Sequence, residues 1–491
     1  MELGTGPRSR TQVVRSALMM LALASGTLPA FAAHARGKDC GPSGALPIVF
    51  VHGGAGSGVQ YSSVARRFVS NGYPADRIRT FEYDSSDGAA VAAAPDNLDA
   101  FIDEVRKEYR VGRVNLVGHS LGTTVSTNYL SNPLHPERPA KIARYVGVDG
   151  RPILDCKALD PQLECMGIFR GMRPASDQQN VYFNSTQSHV EAATSPESFA
   201  AQFKFFTGDE PETTLILPEP PGQVEIAGRA VNFPQNTGVD GGTLRIWEVD
   251  PLTGERSHRH PVATIHLGPS GAWGPVHING QRHYEFELKR LDSSTVLHLY
   301  FQPFIRDDHW IRLLSSGPTS PTTLNTKTGP NHAAAVVIRN REWWTTHFSG
   351  NQDTLWISTT SASRGDEPAV NALKNVVSDG IAVGLSPVGI HVHDNPVDEM
   401  SSLLLIPFFA GPPPQAFQTG VDVYMPATEP PDGTITFWNA PRGDTSRPQV
   451  LNTPNWASDR HRISINLHDY VQDINTWGEC KRAKPSPCKE K

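Results

Sequence analysis

The feature that most constrains this chain is a serine between two glycines at the end of a predicted strand. The apolar run Val114-Asn115-Leu116-Val117 is followed at once by Gly118-His119-Ser120-Leu121-Gly122 and then by a helical pattern through Leu130. In a tight strand-to-helix turn the serine is held outward in a strained conformation, and the glycines let neighbouring backbone pass closely. The hydroxyl then lies at the positive end of a helix, where developing negative charge is stabilised. The pattern therefore predicts a nucleophile at Ser120.

The residues around this turn alternate between strand and helix patterns. The candidate strands are Leu46–Val51, Ile78–Tyr83, Val114–Val117, Ala143–Val148 and Val181–Asn184. Between the second and third of these, Pro95-Asp96 is expected to open a helix. Its apolar positions recur at steps of three and four and so share one face: Leu98, Phe101, Ile102, Val105 and Tyr109. Short apolar strands alternating with amphipathic helices predict an α/β fold, a parallel sheet with flanking helices.

A glycine-rich turn, His52 to Gly58, follows the first strand. Acyl transfer requires two donors aimed at the developing oxyanion. The backbone N–H of Leu121, directly after the serine, is one candidate, and the N–H of Gly54 is the other. A phosphate-binding loop is the alternative, but no Lys-Ser or Lys-Thr pair follows the glycines. We therefore predict an oxyanion hole formed by Gly54 and Leu121.

An acid and a base are expected after the serine, in that order along the chain. Asp149 ends the strand Ala143–Val148, and Asp155 is the reserve candidate. A simple turn aspartate before Gly150 remains the alternative role for Asp149. His189 lies after the last candidate strand and before a helix start, Ser195-Pro196-Glu197. The sequence thus predicts Ser120, Asp149 and His189 as a catalytic triad.

The N-terminus predicts export. Arg8, Arg10 and Arg15 precede the apolar run Ala17–Phe31, which ends near A-x-A cleavage sites. A retained membrane anchor is the alternative, although the run is short and interrupted. No later stretch is apolar enough to predict stable membrane insertion.

Export makes the five cysteines candidates for disulfides. Cys156 would pair with Cys165, and Cys480 with Cys488, which leaves Cys40 over. Their spacing does not suggest zinc, and His391-Val392-His393-Asp394 lacks further ligands, so no metal site and no cofactor are predicted. The formal net charge of −6 gives no reason to expect nucleic acid as a partner.

The second half of the chain changes to short alternating strands separated by glycine and proline turns. Thr237-Gly238-Val239-Asp240 and a strand ending at Trp247 are echoed by Thr419-Gly420-Val421-Asp422 and a strand ending at Trp438. We expect two antiparallel β-sandwich-like modules. For Trp343-Trp344, buried packing and an exposed aromatic contact both remain open. The predicted domains are a signal peptide over 1–35, a catalytic domain over 36–210 and β-rich modules over 211–330 and 331–491.

These motifs, together with Val148-Asp149-Gly150 and the stretch Ser188 to Ser198, resemble the compact α/β-hydrolase lipases, bacterial and archaeal enzymes with β-rich C-terminal modules. The resemblance covers about residues 45 to 210 with specific motifs. It implies a Ser120, Asp149 and His189 triad, an oxyanion hole at Gly54 and Leu121, and no cofactor. Gly54 is a departure, since relatives can carry a bulkier residue there.

Three functions follow as hypotheses. The leading one is a secreted serine lipase or esterase acting on acyl esters or lipids. A secreted polyester depolymerase, whose β-modules hold a polymer, is the second. A non-catalytic surface-binding protein on a degenerate hydrolase fold is the third. Residues 151–180 carry several apolar side chains and are expected to form either a lid or pocket wall or part of the core.

Overall fold

A computed structural model describes most of the chain. The described residues are 44–171, 179–183, 186–320, 323–324, 328–342, 354–360, 390–393, 402–404, 419–427, 433–441 and 446–470. The predicted signal segment, Cys40, Trp343-Trp344 and the pair Cys480 and Cys488 lie outside them. Of His391 and His393, the backbone strand is described but the side chains are not.

Six parallel strands form the first sheet, in the order β2-β1-β3-β4-β5-β6. Their bounds are β1 Ile48–Val51, β2 Ile78–Phe81, β3 Val114–His119, β4 Ile142–Val148, β5 Glu164–Phe169 and β6 Gln179–Tyr182. Apolar side chains of β1 alternate between two separate cores, with Ile48 and Phe50 in one and Val49 and Val51 in the other. A strand buried on both faces must be apolar throughout, which is why β1 is a continuous apolar run.

Helices cover both faces of this sheet. They are α1 Ser62–Ser70, α2 Gly88–Tyr109, α3 Leu121–Leu130, α4 Cys156–Leu159, α5 Glu191–Thr194 and α6 Pro196–Thr207, with 3-10 turns at Gly58–Tyr61, Ala75–Arg77, Pro139–Lys141 and Pro221–Gln223. Phe68 of α1 and Phe199 of α6 belong to one core, and Leu98 of α2 and Val125 of α3 to the other. The predicted parallel sheet with flanking helices is confirmed. None of the described helices is long and apolar enough to cross a membrane.

Helix α2 begins earlier than predicted, at Gly88 instead of Pro95. The Asp87 side chain accepts a hydrogen bond from the Ala89 N–H and so caps the true start. The alanine-rich turns before Pro95 favour helix strongly enough to include the proline, at the cost of one backbone hydrogen bond. The predicted apolar face is nevertheless correct, since Leu98, Ile102 and Val105 are fully buried.

Residues 151–171 contribute to the core of the first sheet. Leu163, Met166 and Ile168 are at most 1% exposed. The predicted disulfide between Cys156 and Cys165 is present and joins α4 to β5. Of the two roles left open for this segment, its described part takes that of core packing.

The described residues of the C-terminal half form three sheets. Its strands are β7 Val224–Asn232, β8 Thr237–Gly238, β9 Thr243–Val249, β10 Ala263–His266, β11 Ala272–Ile278, β12 His283–Lys289, β13 Val296–Phe301, β14 Asp308–Ser315, β15 His332–Ile338, β16 Thr354–Thr360, β17 Ile390–His393, β18 Ser402–Leu404, β19 Gly420–Pro426, β20 Thr434–Ala440, β21 Gln449–Pro454 and β22 His461–Asn466. The largest sheet has the order β10-β9-β12-β13-β22-β15-β19-β18. The smaller ones are β11-β7-β14, which β8 extends by pairing with β7, and β17-β16-β20-β21.

The largest sheet packs against both smaller ones. Phe286, Leu244 and Ile311 belong to the core with the β7 sheet, and Ile465, Ile357 and Phe437 to the core with the β16 sheet. Most of the described strand pairs are antiparallel, as predicted, although β22 pairs in parallel with β13 and β15, β14 with β7, and β17 with β16. The division at residue 330 stays a prediction, and the largest sheet extends across that point.

The first β-module contacts the hydrolase domain through β14. The Ser62 hydroxyl donates to Asp308 at 2.9 Å, and the Trp310 indole N–H donates to the Ile78 carbonyl at 3.2 Å. Trp310 is 4% exposed and belongs to the same core as α1 and α6. The two regions are therefore joined by buried side chains.

Gly122 permits the closest approach between α3 and β1. A Cβ atom there would lie 2.2 Å from the Val51 carbonyl oxygen and 2.6 Å from that of His52. We expect Gly122→Ala to lower the free energy of unfolding by about 1–3 kcal/mol, since backbone must shift to admit the methyl group. Urea denaturation measures this. Gly112→Ala is the control, because nothing lies within 4 Å of its Cβ position. Equal stability of the two variants would contradict the close approach.

Candidate active site

Ser120 occupies a strained turn between β3 and α3. Its backbone has φ 52° and ψ −118°, a combination that is rare for residues other than glycine. The Ser120 N–H donates to the Val148 carbonyl at 3.0 Å, and the Ser120 carbonyl accepts from the Thr123 hydroxyl at 2.6 Å. Such strain costs of order 1–3 kcal/mol and persists only where the surroundings impose it. The serine therefore has the turn geometry that the motif predicts.

Asp149 follows β4 at the same edge of the sheet and also has positive φ, 41°. Its Oδ2 lies 2.6 Å from His189 Nδ1, and its Oδ1 accepts the Arg170 N–H at 3.3 Å. The Arg170 Nε lies 3.1 Å from Oδ2. Asp155, the reserve candidate, instead caps α4 by accepting the Ala158 N–H. The structure thus pairs His189 with Asp149.

The surroundings of Asp149 keep its carboxylate ionised. Burial acts to raise its pKa, but the hydrogen bond and charge of His189 and the charge of Arg170 outweigh burial and lower the pKa. An ionised Asp149 accepts the Nδ1–H of His189, which assigns the imidazole lone pair to Nε2. That tautomer is the one a general base requires.

His119 brings the His189 loop to the serine. Its Nε2–H donates to the His189 carbonyl at 2.9 Å, and the two ring centroids are 4.7 Å apart. Since a carbonyl can only accept, Nε2 carries the proton, and Nδ1 accepts from the Gln60 amide at 2.8 Å. His119 directly precedes Ser120 in the chain, so the hydrogen bond from its ring places His189 beside the serine turn.

The glycine turn after β1 lies against the same residues. A Cβ on Gly53 would be 3.0 Å from the Ser120 Cβ, and a Cβ on Gly54 would be 4.0 Å from Leu121 Cδ2. The turn and the start of α3 are therefore in contact. The two proposed oxyanion donors, Gly54 and Leu121, lie on facing segments next to the serine.

His52 fixes the inside of this turn. The ring is fully buried, stacks on Tyr83 at 4.4 Å and donates from Nδ1 to the Gly53 carbonyl at 2.9 Å. Burial lowers the pKa of His52 although Glu82 acts to raise it. A neutral ring leaves Nε2 as an acceptor, and the Asn236 amide lies 3.4 Å from it. His52 thus shapes the turn.

Asn236 of the first β-module completes the support of the turn. Its amide donates to the Gly56 carbonyl at 2.9 Å and to the Tyr83 carbonyl at 3.1 Å. Nearby, Glu82 accepts the Gly58 N–H and is paired with Arg312 of β14 at 2.7 Å. Contacts of the candidate site with Asn236, Arg312 and Arg170 were not predicted, because no local sequence pattern links these residues to the motifs.

The described residues contain no group of three or more His, Cys, Asp or Glu side chains suited to hold a metal ion.

Family models match most of the described regions. Residues 47–166 match the alpha/beta hydrolase fold, residues 222–318 match the lipase C-terminal domain, and residues 322–471 match a model described as a C-terminal domain. The resemblance to α/β-hydrolase lipases is thereby confirmed, and the chain has the domains of a lipase-type hydrolase. A search of curated proteins found no match.

Solved structures resemble parts of the chain at low identity. A gene product of Listeria innocua is 13% identical, covering 34% of this chain and 96% of its own, with a TM-score of 0.26. The mature form of the Bacillus licheniformis lipase BlEst2 is 18% identical, covering 39% and 69% respectively, with a TM-score of 0.19. Its propeptide form is 12% identical, covering 84% and 93%, with a TM-score of 0.25. At these TM-scores the likenesses carry no functional argument.

The His119 contacts predict acid sensitivity of folding. Burial, followed by the charge of His189, lowers the pKa of His119 from 6.5 to about 3. The unfolded chain therefore binds a proton that the folded protein does not, and stability falls as the pH drops below 6.5. Between about pH 7.5 and about pH 5 this one group accounts for a loss of about 2 kcal/mol.

Urea denaturation of the wild type and of His119→Gln at both pH values measures this effect. We expect the variant to lose about 2 kcal/mol less on acidification, because it has no imidazole to protonate. An equal loss in both proteins would show that His119 is not held neutral.

The Asn236 contacts predict a second stability effect. Asn236→Asp replaces a donor with an acceptor opposite two carbonyl oxygens, so we expect the free energy of unfolding to fall by about 1–3 kcal/mol. Asn132→Asp is the matched control, because Asn132 uses only its Oδ1, as an acceptor for the Leu134 N–H. An equal decrease in the free energy of unfolding of both variants would contradict the role assigned to Asn236.

Proposed function

We propose that this chain is a secreted serine hydrolase that cleaves carboxylic esters, with Ser120 as nucleophile, His189 as base and Asp149 as the acid that orients it. The observation that carries the proposal is the contact of 2.6 Å between Asp149 and His189 beside the strained Ser120 turn. Positive φ at both Ser120 and Asp149 supports a specialised site, since strain of this kind clusters at functional residues. A degenerate binding protein has no need to keep these features together.

The proposed reaction proceeds through an acyl-enzyme. His189 Nε2 takes the proton from the Ser120 hydroxyl as the oxygen attacks the ester carbonyl. Asp149 holds the tautomer and stabilises the imidazolium, while the N–H groups of Gly54 and Leu121 donate to the oxyanion. His189 then protonates the departing alcohol. Water, activated by the same imidazole, releases the acid and restores Ser120.

The substrate proposed is an acyl ester or lipid. Support comes from the lipase C-terminal domain matched over residues 222–318 and from the contacts of that domain with the glycine turn.

Secretion is part of the proposal. The basic and apolar N-terminal segment is typical of a signal peptide. The Cys156–Cys165 disulfide fits an oxidising compartment, where such bonds persist.

Hydrolysis of p-nitrophenyl esters of increasing chain length tests the proposal. We expect Ser120→Ala to lower kcat/KM by at least about 10³-fold, because no other group supplies the acyl-accepting oxygen. Ser131→Ala, at the far end of α3, is the matched control and should retain wild-type activity, since its hydroxyl only bonds the Thr127 carbonyl.

Undiminished hydrolysis by Ser120→Ala would refute the nucleophile. Absence of hydrolysis by the wild type at every chain length would favour the binding-protein hypothesis instead. Turnover that rises with chain length would identify a lipase, and turnover of short chains alone an esterase.

A further inference from the structure

The segment Arg339–Glu342, which follows β15 in the second β-module, reaches the loop that carries His189. Glu342 is 4% exposed and lies against Ser188, Val190 and Glu191. It is separated from these residues by about 150 positions in sequence. A buried carboxylate at this place requires an explanation, because an unpaired one is strongly disfavoured.

The Glu342 carboxylate accepts three hydrogen bonds from the two sides of His189. Its Oε1 accepts the Val190 N–H at 2.6 Å. Its Oε2 accepts the Glu191 N–H at 3.3 Å and a hydrogen bond from the Ser188 hydroxyl. Hydrogen bonds to an ionised acceptor are about twice as strong as neutral ones. The residues directly before and after His189 are thus held by one side chain.

Neighbouring charges balance this carboxylate. The Ser188 N–H donates to Oε2 of Glu191 at 3.2 Å, so the Glu191 carboxylate also lies close to Glu342. Arg341 pairs with Glu191 at 3.1 Å. Opposite charge beside the two carboxylates makes their proximity tolerable inside the protein.

The position of Glu342 is itself fixed by its own segment. Arg339 is buried and donates to the carbonyl oxygens of Arg341, at 3.2 Å, and of Glu342. The Asn340 amide donates to the Val59 carbonyl at 3.0 Å, next to the glycine turn. The Arg339 bonds hold the backbone of the segment, and the Asn340 bond anchors it to the hydrolase domain.

The His189 loop has little regular structure of its own. Helix α5, which follows, is four residues long, and a single turn is not stable alone. The loop must nevertheless hold the imidazole in hydrogen-bonding distance of Asp149. The N–H groups of Val190 and Glu191 donate to the Glu342 carboxylate. The His189 ring is hydrogen-bonded to Asp149.

We propose that Glu342, supplied by the C-terminal β-module, is a positioning residue for the His189 base. This inference rests on the proposed function for its catalytic consequence. Its structural part, the restraint of the loop, can be measured without any activity. The β-module would then be required for turnover itself, separately from any role in binding substrate.

Kinetics and amide exchange of Glu342→Gln test the inference. The amide offers one acceptor oxygen instead of two and directs its NH₂ towards backbone donors. We expect kcat to fall about tenfold to a hundredfold with KM little changed, since a base displaced by about 1 Å slows the chemical step more than binding. Hydrogen exchange of peptides spanning 186–195 should become about tenfold faster.

Two further variants control for misfolding and for general destabilisation. Ser188→Ala removes one of the three donors and should give a smaller change in the same direction, in a protein that folds even if Glu342→Gln does not. Glu287→Gln is the matched control, since Glu287 pairs with Arg245 and Arg256 within the first β-module. We expect the control to keep kcat and the exchange of 186–195.

The possible outcomes distinguish the role of Glu342 from the proposed function. Slower turnover with faster exchange in Glu342→Gln, and neither in the control, supports the inference. Unchanged exchange or unchanged kcat overturns it, and so does an equal loss of kcat in Glu287→Gln, which would indicate general destabilisation. If the wild type hydrolyses no ester, the proposed function fails alone, and the exchange data still decide whether Glu342 holds the loop.

Discussion

The close contact of α3 with the end of β1 is the constraint on which the rest of the site depends. Gly122 lets the helix backbone approach the Val51 carbonyl so closely that no side chain fits between them. This contact, with the Ser120 N–H bonded to Val148 of β4, holds Ser120 at positive φ. Once the serine turn is fixed, residues that follow the neighbouring strands can approach it only at the same edge of the sheet. The glycine turn after β1 and Asp149 after β4 both lie at this edge because all the strands are parallel.

The C-terminal half contributes to the site from two directions. Asn236 supports the glycine turn, and Glu342 supports the His189 loop. The two residues come from different predicted β-modules, and both contact loops of the hydrolase domain. Such loops carry functional groups but little packing of their own, so buried partners from elsewhere must restrain them. The β-modules therefore act as part of the scaffold of the candidate site.

Patterns within short segments predicted well what depends on local contacts. The continuous apolar run Ile48–Val51 predicted the strand β1 because both faces of that strand are buried. The Ser195-Pro196-Glu197 start predicted α6, since Ser195 accepts the Ser198 N–H as a cap. The start of α2 was wrong because the Asp87 cap and the alanines that follow outweigh the preference of proline for a first turn. The pairing of β22 with β13 and β15 was not foreseen, since pairing between distant strands has no local signature.

The sequence by itself determined the strand-to-helix turn at Ser120 and the change to a β-rich second half, because each is encoded by residues close together in the chain. It predicted the candidate acid and base only from their order along the chain. Tertiary structure alone decided that Arg170 joins Asp149, that His119 is kept neutral between Gln60 and His189, and that Glu342 reaches the His189 loop. These contacts join residues separated by about 20 to about 150 positions. The sequence around a charged or polar residue does not indicate a partner so far away in the chain, because the pairing depends on how whole sheets pack.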